Sequence, residues 1–347
     1  MGNSKNTDQK SISEIQKKRK NTFKPTKLAK AICAGDITAL SRAITLIESS
    51  NKNHRVTANE VITFCLNKPA KSIRIGITGV PGVGKSTFIE TFGQLLTSQG
   101  HKVAVLTVDP SSTQSKGSIL GDKTRMEVLS KDPNAFIRPS PSGLSLGGVT
   151  RNTRESIILC EAAGYTIILV ETVGVGQNET AVHGMVDFFL LLKIAGAGDE
   201  LQGIKRGIIE MADAIVINKA DGNNLPKALL AKSEFENALQ LYPPKENGWR
   251  PKVSCCSSTE NMGINELWKN TEAYFIKSKK TDYFDEKRKQ QNKNWLYETI
   301  ETQLKSDFFK DSQILEEINH YIEAIISKKI SPFIAADQLI AIFKSRS

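Results

Sequence analysis

The chain of 347 residues is 39% hydrophobic and 24% charged, which is typical of a soluble globular protein with room for two domains or one domain with appendages. Its formal net charge is +10, no apolar run approaches the roughly 18 residues of a membrane span, and the amino terminus lacks the apolar core of a secretory signal. The five cysteines form no C-x-x-C pair, so we expect reduced thiols in a cytoplasmic protein with no membrane partner.

The positive charge is concentrated at the amino terminus. Residues 1–30 hold nine lysines and arginines against Asp8 and Glu14, a net charge of +7. A polar, basic segment with few aromatic residues is typical of a solvated tail. We therefore predict a disordered basic tail over residues 1–26 and expect no nucleic-acid partner.

A helical pattern follows over residues 27–70. In "ITALSRAITLIESS", the apolar residues that share one face at helical spacing are Ile37, Leu40, Ala43, Ile44 and Ile47. Asp36 precedes them and can cap the helix, because its side chain can accept from the first N–H groups.

A phosphate-binding loop comes next. The stretch "GVPGVGKST", Gly79 to Thr87, lies between the strand-like "IRIGIT" and a helical segment, and its spacing is G-x-x-x-x-G-K-[ST]. Glycines let backbone N–H groups converge on phosphate oxygens, Lys85 supplies a cation, and the hydroxyl of Ser86 suits Mg²⁺. The predicted nucleotide contacts of this loop are Gly79, Gly82, Gly84, Lys85, Ser86 and Thr87.

Strand and helix patterns alternate over residues 71–275, which predicts an α/β domain with a mostly parallel sheet covered by helices. The predicted strands are Ile73–Thr78, Val103–Val108, Ala135–Ile137, Thr166–Val170, Asp187–Lys193, Ala214–Asn218 and Lys252–Cys255.

Acidic residues follow two of these strands. Asp109 ends "VAVLTVD" and can hold Mg²⁺, and the Ser-, Gly- and Lys-rich loop after it suits a switch segment. In "ETVG", Glu171 occupies the place of an acidic residue near Mg²⁺, and the N–H of Gly174 can meet the γ-phosphate. The predicted metal ligands are therefore Ser86, Asp109 and Glu171.

The same loop lacks a usual catalytic group. Val175 stands where many GTPases place a water-orienting glutamine, so unassisted hydrolysis is expected to be slow. Gln177 and Glu179 are nearby side chains that can substitute for it.

The segment "NKAD", Asn218 to Asp221, indicates guanine. A carboxylate at Asp221 can accept from both N1–H and the exocyclic amine of guanine, and adenine offers no such donor pair at that edge. Asn218 can tie this loop to the phosphate loop, and the aliphatic stem of Lys219 can cover the base. The sequence therefore predicts GTP and GDP as ligands.

Residues 276–347 are polar and helical, with single apolar stripes that cannot form a large core by themselves. They are expected to pack on the main domain or on a second copy of the chain.

With these loops the sequence resembles the MeaB/ArgK-type GTPases, chaperones associated with methylmalonyl-CoA mutase, over about residues 30–345. The matching stretches are "GITGVPGVGKSTFIE", "VDPSST", "GSILGDKTRM", "AFIRPSPS" with the following "LGGVTRNTRE", "VETVGVGQNE", "GAGDELQGIKRGI" and "NKADG". The resemblance implies a P-loop GTPase domain flanked by N-terminal helices and a C-terminal helical dimerisation arm.

It also implies partners and further functional residues. Members bind an adenosylcobalamin-dependent acyl-CoA mutase, gate cofactor loading and protect the enzyme, and a homodimer is expected. The loop "GAGDELQGIK" matches an additional switch, so Asp199, Gln202 and Lys205 inherit a role in coupling to the mutase. Asp122 joins the acidic residues around Mg²⁺, and Ser257 lies in the guanine-contacting loop.

The sequence departs from the family pattern at several positions, among them Lys193 in a usually apolar run and Ser258 where alanine is usual. Three other interpretations stay open: a nickel-type metallochaperone GTPase, an ATPase or kinase serving basic amino acid transport, and a nucleotide-gated scaffold with little turnover. The four scattered histidines disfavour the first and "NKAD" disfavours the second.

Overall fold

The computed structural model describes residues 24–68, 71–108, 126–139, 146–172, 179–196 and 206–345. The predicted tail is almost wholly outside these ranges. The chain divides into two compact units, Met1–Lys287 and Arg288–Ser347.

Within the described residues, three helices precede the sheet: α1 (Pro25–Cys33), α2 (Ile37–Glu48) and α3 (Lys52–Leu66). Asp36 caps α2 by accepting from the N–H groups of Thr38 (2.8 Å) and Ala39 (3.1 Å), so the predicted cap is confirmed. The predicted apolar face is buried except at Ile37, which is 43% exposed because it is the first residue of the helix.

Seven parallel strands form one sheet in the order β3-β2-β4-β1-β5-β6-β7. Their bounds are β1 (Ile73–Gly79), β2 (Val103–Val108), β3 (Ala135–Arg138), β4 (Ile167–Thr172), β5 (Phe188–Ile194), β6 (Ala214–Asn218) and β7 (Lys252–Cys255). All seven predicted strands are present, and the predicted fold class is confirmed. The strands are nearly continuous apolar runs because helices cover both faces of the sheet.

The covering helices of the first unit are α4 (Lys85–Ser98), α5 (Leu146–Ala162), α6 (Glu179–His183), α7 (Arg206–Met211), α8 (Leu225–Gln240) and α9 (Ile264–Lys280). One core cluster joins α4 and α9 to a face of β1, where Phe92 and Trp268 are buried with Ile77. A second cluster joins α7 and α8 to β6, with Phe235 packed near Ile217. The N-terminal helices pack against α5.

The long helix α10 (Tyr283–Lys310) begins in the first unit and continues into the second, where α11 (Ser312–Ile326) and α12 (Pro332–Lys344) pack against each other. Large apolar side chains of this unit are exposed, among them Leu304, Ile326 and Phe333. Within the described ranges no helix has the length and apolar character to cross a bilayer.

Candidate nucleotide-binding site

The phosphate loop leaves the central strand β1 and enters α4. Gly84 is the N-cap of α4 at φ +91°, and no side chain caps the helix. The first N–H groups of a helix have no acceptor within the helix, so this terminus suits an anion. A Cβ atom on Gly79 would lie 2.5 Å from the carbonyl oxygen of Leu192, so the close approach of the loop to β5 requires glycine there.

Lys85 is folded back over its own loop. Its ammonium group donates to the carbonyl oxygens of Gly79 (2.8 Å) and Val80 (3.4 Å). Burial lowers the pKa of Lys85, and the negative charges of Glu171 and Glu179 oppose that shift. The ammonium group is therefore held over its own loop by hydrogen bonds that a phosphate oxygen can replace.

Glu171 is buried near the carboxyl end of β4. Its backbone is in register with Ile77 of β1 and Thr107 of β2, so it lies in the row of residues just before the phosphate loop. The next residue, Thr172, donates its hydroxyl to that of Thr78 (2.9 Å) and fastens the two strand ends together.

Asn218 at the end of β6 connects the two nucleotide loops. Its side-chain amide donates to the carbonyl oxygen of Val83 (2.9 Å), so the link predicted between the "NKAD" loop and the phosphate loop is present. Its side-chain oxygen accepts from the hydroxyl of Ser258 (2.9 Å) and lies 3.4 Å from the thiol of Cys256. With these partners the buried amide has one orientation.

Asp221 is held by the neighbouring loop after β7. The hydroxyl of Ser257 donates to its carboxylate, and the N–H of Ala220 donates to the carbonyl oxygen of Cys256 (3.0 Å). Lys219 is exposed at φ +59°, and its stem lies close to Gly84. The loop therefore presents a carboxylate and an aliphatic stem beside the phosphate loop.

Sequence reasoning missed two residues that support this arrangement. Thr91 on α4 donates to the carbonyl oxygen of Ser258 (2.7 Å), and Ser258 itself holds Asn218. Ser258 is visible in the sequence as a departure from the family pattern, but its partner could not be known without the fold. Thr91 carries no motif signal.

The described candidate residues meet at the carboxyl ends of β1, β4 and β6 and in the loop after β7: Gly79, Gly82, Gly84, Lys85, Ser86, Thr87, Glu171, Asn218, Lys219, Asp221 and Ser257. Four others lie outside the described residues: Asp109, Gly174, Gln177 and Lys205. Asp122, Asp199 and Gln202 lie outside them as well. Within the described ranges no group of three or more His, Cys, Asp or Glu side chains is placed to hold a metal ion.

A parallel sheet with a phosphate loop at its central strand and an N-K-x-D loop two strands away defines a P-loop GTPase. A family model described as "Methylmalonyl Co-A mutase-associated GTPase MeaB" matches residues 40–313. The chain belongs to this family and is a GTPase, as the resemblance predicts.

Individual relatives agree with this assignment. "Methylmalonic aciduria type A homolog, mitochondrial" of Mus musculus is 45% identical over 331 residues, covering 92% of this chain and 80% of the relative. "GTPase ArgK" of Escherichia coli is 42% identical, covering 88% and 92%. The crystal structure of a protein named LAO/AO transport system kinase superposes with a TM-score of 0.75 at 35% identity, covering 93% of this chain and 99% of that one.

Proposed function

We propose that the chain is a GTP-hydrolysing chaperone of an adenosylcobalamin-dependent acyl-CoA mutase of the methylmalonyl-CoA mutase type, acting in the cytoplasm. In this proposal GTP binding and hydrolysis gate cofactor loading and protect the mutase. The observation that best supports GTP binding is the hydrogen bond from the side chain of Asn218 to the carbonyl oxygen of Val83. This bond holds the guanine loop and the phosphate loop at a fixed separation.

Phosphate binding is assigned to residues 79–87, with Lys85 as the cation for the β- and γ-phosphates and Gly174 as a further N–H donor. Guanine binding is assigned to Asp221, with Asn218, Lys219 and Ser257 in support. The hydroxyl of Ser257 now donates to Asp221, which leaves the other carboxylate oxygen and lone pairs for the base.

The site fits Mg²⁺ in its donor chemistry. Ser86 lies in the first turn of α4 and Glu171 at the end of β4, and both offer the oxygen ligands that Mg²⁺ prefers. Asp109 is proposed as the third ligand. Mg²⁺ usually keeps several waters and binds substrate phosphates, so few protein ligands are needed, and the bound ion would neutralise phosphate charge.

Hydrolysis is proposed to be slow without a partner. Gln177 is our candidate for positioning water, with Glu179 as an alternative, because Val175 has no polar group. Lys205 is proposed to act when the mutase docks. A cation placed on the developing charge of phosphoryl transfer can accelerate it on the order of 10³-fold.

The mutase as a partner rests on the family description and on the names of relatives. The test is GTP turnover by the wild type and by Lys205→Ala, each with and without excess methylmalonyl-CoA mutase. We expect equal basal rates and a loss of stimulation in the variant. Equal stimulation, with mutase binding confirmed, would exclude Lys205, and no binding of mutase by the wild type would contradict the chaperone role.

Turnover also separates two alternatives. A nucleotide-gated scaffold would bind GTP but show no stimulated hydrolysis in a single-turnover assay. A kinase or ATPase serving basic amino acid transport would require ATP to bind at least as tightly as GTP; the structural neighbour is named a transport system kinase.

A homodimer through residues 276–347 is part of the proposal. Phe333 is 81% exposed and Ile326 is 76% exposed in this segment, and such side chains are stabilised by a partner surface. Removal of residues 288–347, which keeps Lys287 beside Asp213, should give a monomer that still binds GTP. A monomeric full-length protein at micromolar concentration in light scattering would count against the homodimer.

A further inference from the structure

The loop that follows β7, residues 256–258, is bonded along one side to the end of β6. The N–H of Cys256 donates to the carbonyl oxygen of Ile217 (2.9 Å), and the N–H of Ala220 donates to the carbonyl oxygen of Cys256 (3.0 Å). Both bonds join backbone atoms, so they hold this side of the loop whatever side chains it carries.

Two hydroxyl groups hold the loop from other directions. Thr91 of α4 donates its hydroxyl to the carbonyl oxygen of Ser258 (2.7 Å), and the hydroxyl of Ser258 donates to the side-chain oxygen of Asn218 (2.9 Å). The hydroxyl of Thr91 also lies 3.1 Å from the carbonyl oxygen of Thr87 in its own helix, so the bond to the loop is the shorter one. Ser258 is 6% exposed, and buried polar groups depend on such partners.

The bond from Ser258 reaches Asn218 where its side chain meets the phosphate loop. The amide nitrogen of Asn218 donates to the carbonyl oxygen of Val83, and a Cβ atom on Gly84 would lie 2.9 Å from that nitrogen, so the amide packs directly on the loop. The amide oxygen has a second neighbour in the thiol of Cys256 at 3.4 Å. A thiol is a weak donor, so the hydroxyl of Ser258 is the principal donor to this oxygen.

The phosphate helix and the guanine loop are therefore joined through these two hydroxyls. Helix α4 begins at Lys85, in the loop assigned to the phosphates, and Thr91 lies in its second turn. The residue before Ser258 in the guanine loop is Ser257, which donates its hydroxyl to the carboxylate of Asp221. A movement of the loop would therefore displace the hydroxyl that holds Asp221.

We propose that Thr91 and Ser258 are positioning residues that fix the guanine loop against α4 and thereby set how strongly the site prefers guanine to hypoxanthine. The inference rests on the proposed guanine site. Hypoxanthine lacks only the exocyclic amine of guanine, so the preference between the two bases reports on the hydrogen bond from that amine to Asp221. Hydrogen bonds weaken steeply when they are misaligned, so a displaced loop should lower this preference. The contact of Lys85 with the phosphates should be kept.

Matched variants are available on the same helix. Thr91→Val keeps the shape of the side chain and removes its hydroxyl, whereas Thr91→Ser keeps the hydroxyl and should retain the wild-type preference. Ser258→Ala introduces the residue that is usual in the family, so this variant should fold. Thr97→Val is the control, because the hydroxyl of Thr97 donates to the carbonyl oxygen of Gln94 within α4 (3.2 Å).

The test is isothermal titration calorimetry of GDP and IDP with the full-length wild type and each variant. In the wild type, GDP should bind roughly 10-fold more tightly than IDP. Thr91→Val and Ser258→Ala should each lower the affinity for GDP by roughly 5-fold, with a smaller loss for IDP, so that the preference falls. Because both hydroxyls act on one loop, the double variant should lose less than the product of the two single losses. Thermal melting without nucleotide checks that every variant is folded.

Three outcomes would overturn the inference. A full wild-type preference for GDP in folded Thr91→Val and Ser258→Ala would remove both residues from positioning the base. Equal losses for GDP and IDP would show that the two hydroxyls stabilise the site as a whole. A wild type that binds GDP and IDP equally would refute the proposed guanine site, and the inference with it, so the wild type alone separates the failure of that site from the failure of the two residues.

Discussion

The charged side chains at the two ends of the sheet have different kinds of hydrogen-bond partner. At the carboxyl end, Lys85 donates to carbonyl oxygens of its own loop, and Asp221 accepts from a serine hydroxyl. At the amino end, the buried carboxylates of Asp187 and Asp213 accept the N–H groups of Arg74 (2.7 Å) and Phe189 (2.9 Å). The first arrangement uses neutral partners at the nucleotide loops, which a ligand can replace. The second pairs buried carboxylates with backbone N–H groups of the sheet.

A lysine side chain contacts both aspartates at the amino end of the sheet. The ammonium group of Lys287 lies 3.9 Å from the carboxylate of Asp213 and donates to the carbonyl oxygen of Asp187 (2.8 Å). Trp249 and Tyr274 donate to the carbonyl oxygens of Asp213 and Asp187. Substitutions at this end should therefore change stability and leave nucleotide binding intact, and those at the carboxyl end should do the reverse.

The largest effect is expected for Asp213→Ala. Burial raises the pKa of the Asp213 carboxyl, although the charge of Lys287 and the N–H of Phe189 act against that shift. Removing the carboxylate leaves Lys287 and a buried N–H without this partner, which should cost about 3–5 kcal/mol of unfolding free energy. Urea denaturation measures the loss, and calorimetry should show GTP affinity close to wild type in the folded protein. A wild-type urea midpoint would contradict the anchoring role.

Lys85→Ala is the matching change at the other end. Loss of a charge-assisted hydrogen bond to phosphate should lower the affinity for GTP and GDP by roughly 30- to 150-fold, since such bonds contribute about 2–3 kcal/mol. The melting temperature of the nucleotide-free protein should barely change. Lys52→Ala, at an exposed lysine, is the control. Unchanged affinity in calorimetry would reject the phosphate site.

Asp221→Asn should change specificity more than affinity. An amide at this position offers a donor that suits the 2-oxo group of xanthine. The affinity for GTP should therefore fall by roughly 10-fold or more, and the affinity for XTP should rise. The comparison is competition binding of GTP, XTP and ATP to both proteins. Wild-type protein that binds ATP as tightly as GTP would show that the guanine assignment is wrong.

The nucleotide-binding residues at the carboxyl end of the sheet could largely be predicted from the sequence. The contacts at the amino end of the sheet could not. Residues 79–87 and "NKAD" are contiguous motifs, and the seven apolar strands are short continuous runs, so local pattern was enough for fold class and for the Asn218 link. The partners of Asp213 are Phe189, Trp249 and Lys287, which are distant in the chain and carry no spacing signal. Ser258 and Thr91 were missed for the same reason.

The smallest predicted effect is a pH dependence that belongs to the amino end. His183 is the last residue of α6, and its ring lies edge-on against the ring of Phe189, with 5.5 Å between the ring centroids. Burial, followed by the positive charges of Lys287 and Lys245, lowers the pKa of His183 to about 4. An unfolded histidine has a pKa of about 6.5, so between pH 6.5 and 4 the unfolded chain binds a proton that the folded chain does not.

The contribution of His183 to the free energy of unfolding is therefore fully present above pH 6.5 and is lost as the pH falls toward 4. After allowance for its partial exposure, we expect the wild type to lose about 1 kcal/mol relative to His183→Gln between pH 7 and pH 5. Asp213 and the two lysines are present in both proteins, so their titration cancels in this difference. Urea unfolding of both proteins at the two pH values measures it, and parallel losses in the two proteins would show that His183 is protonated as easily in the folded state as in the unfolded chain. GTP affinity should change equally with pH in both, because the titrating group lies at the end of the sheet away from the nucleotide loops.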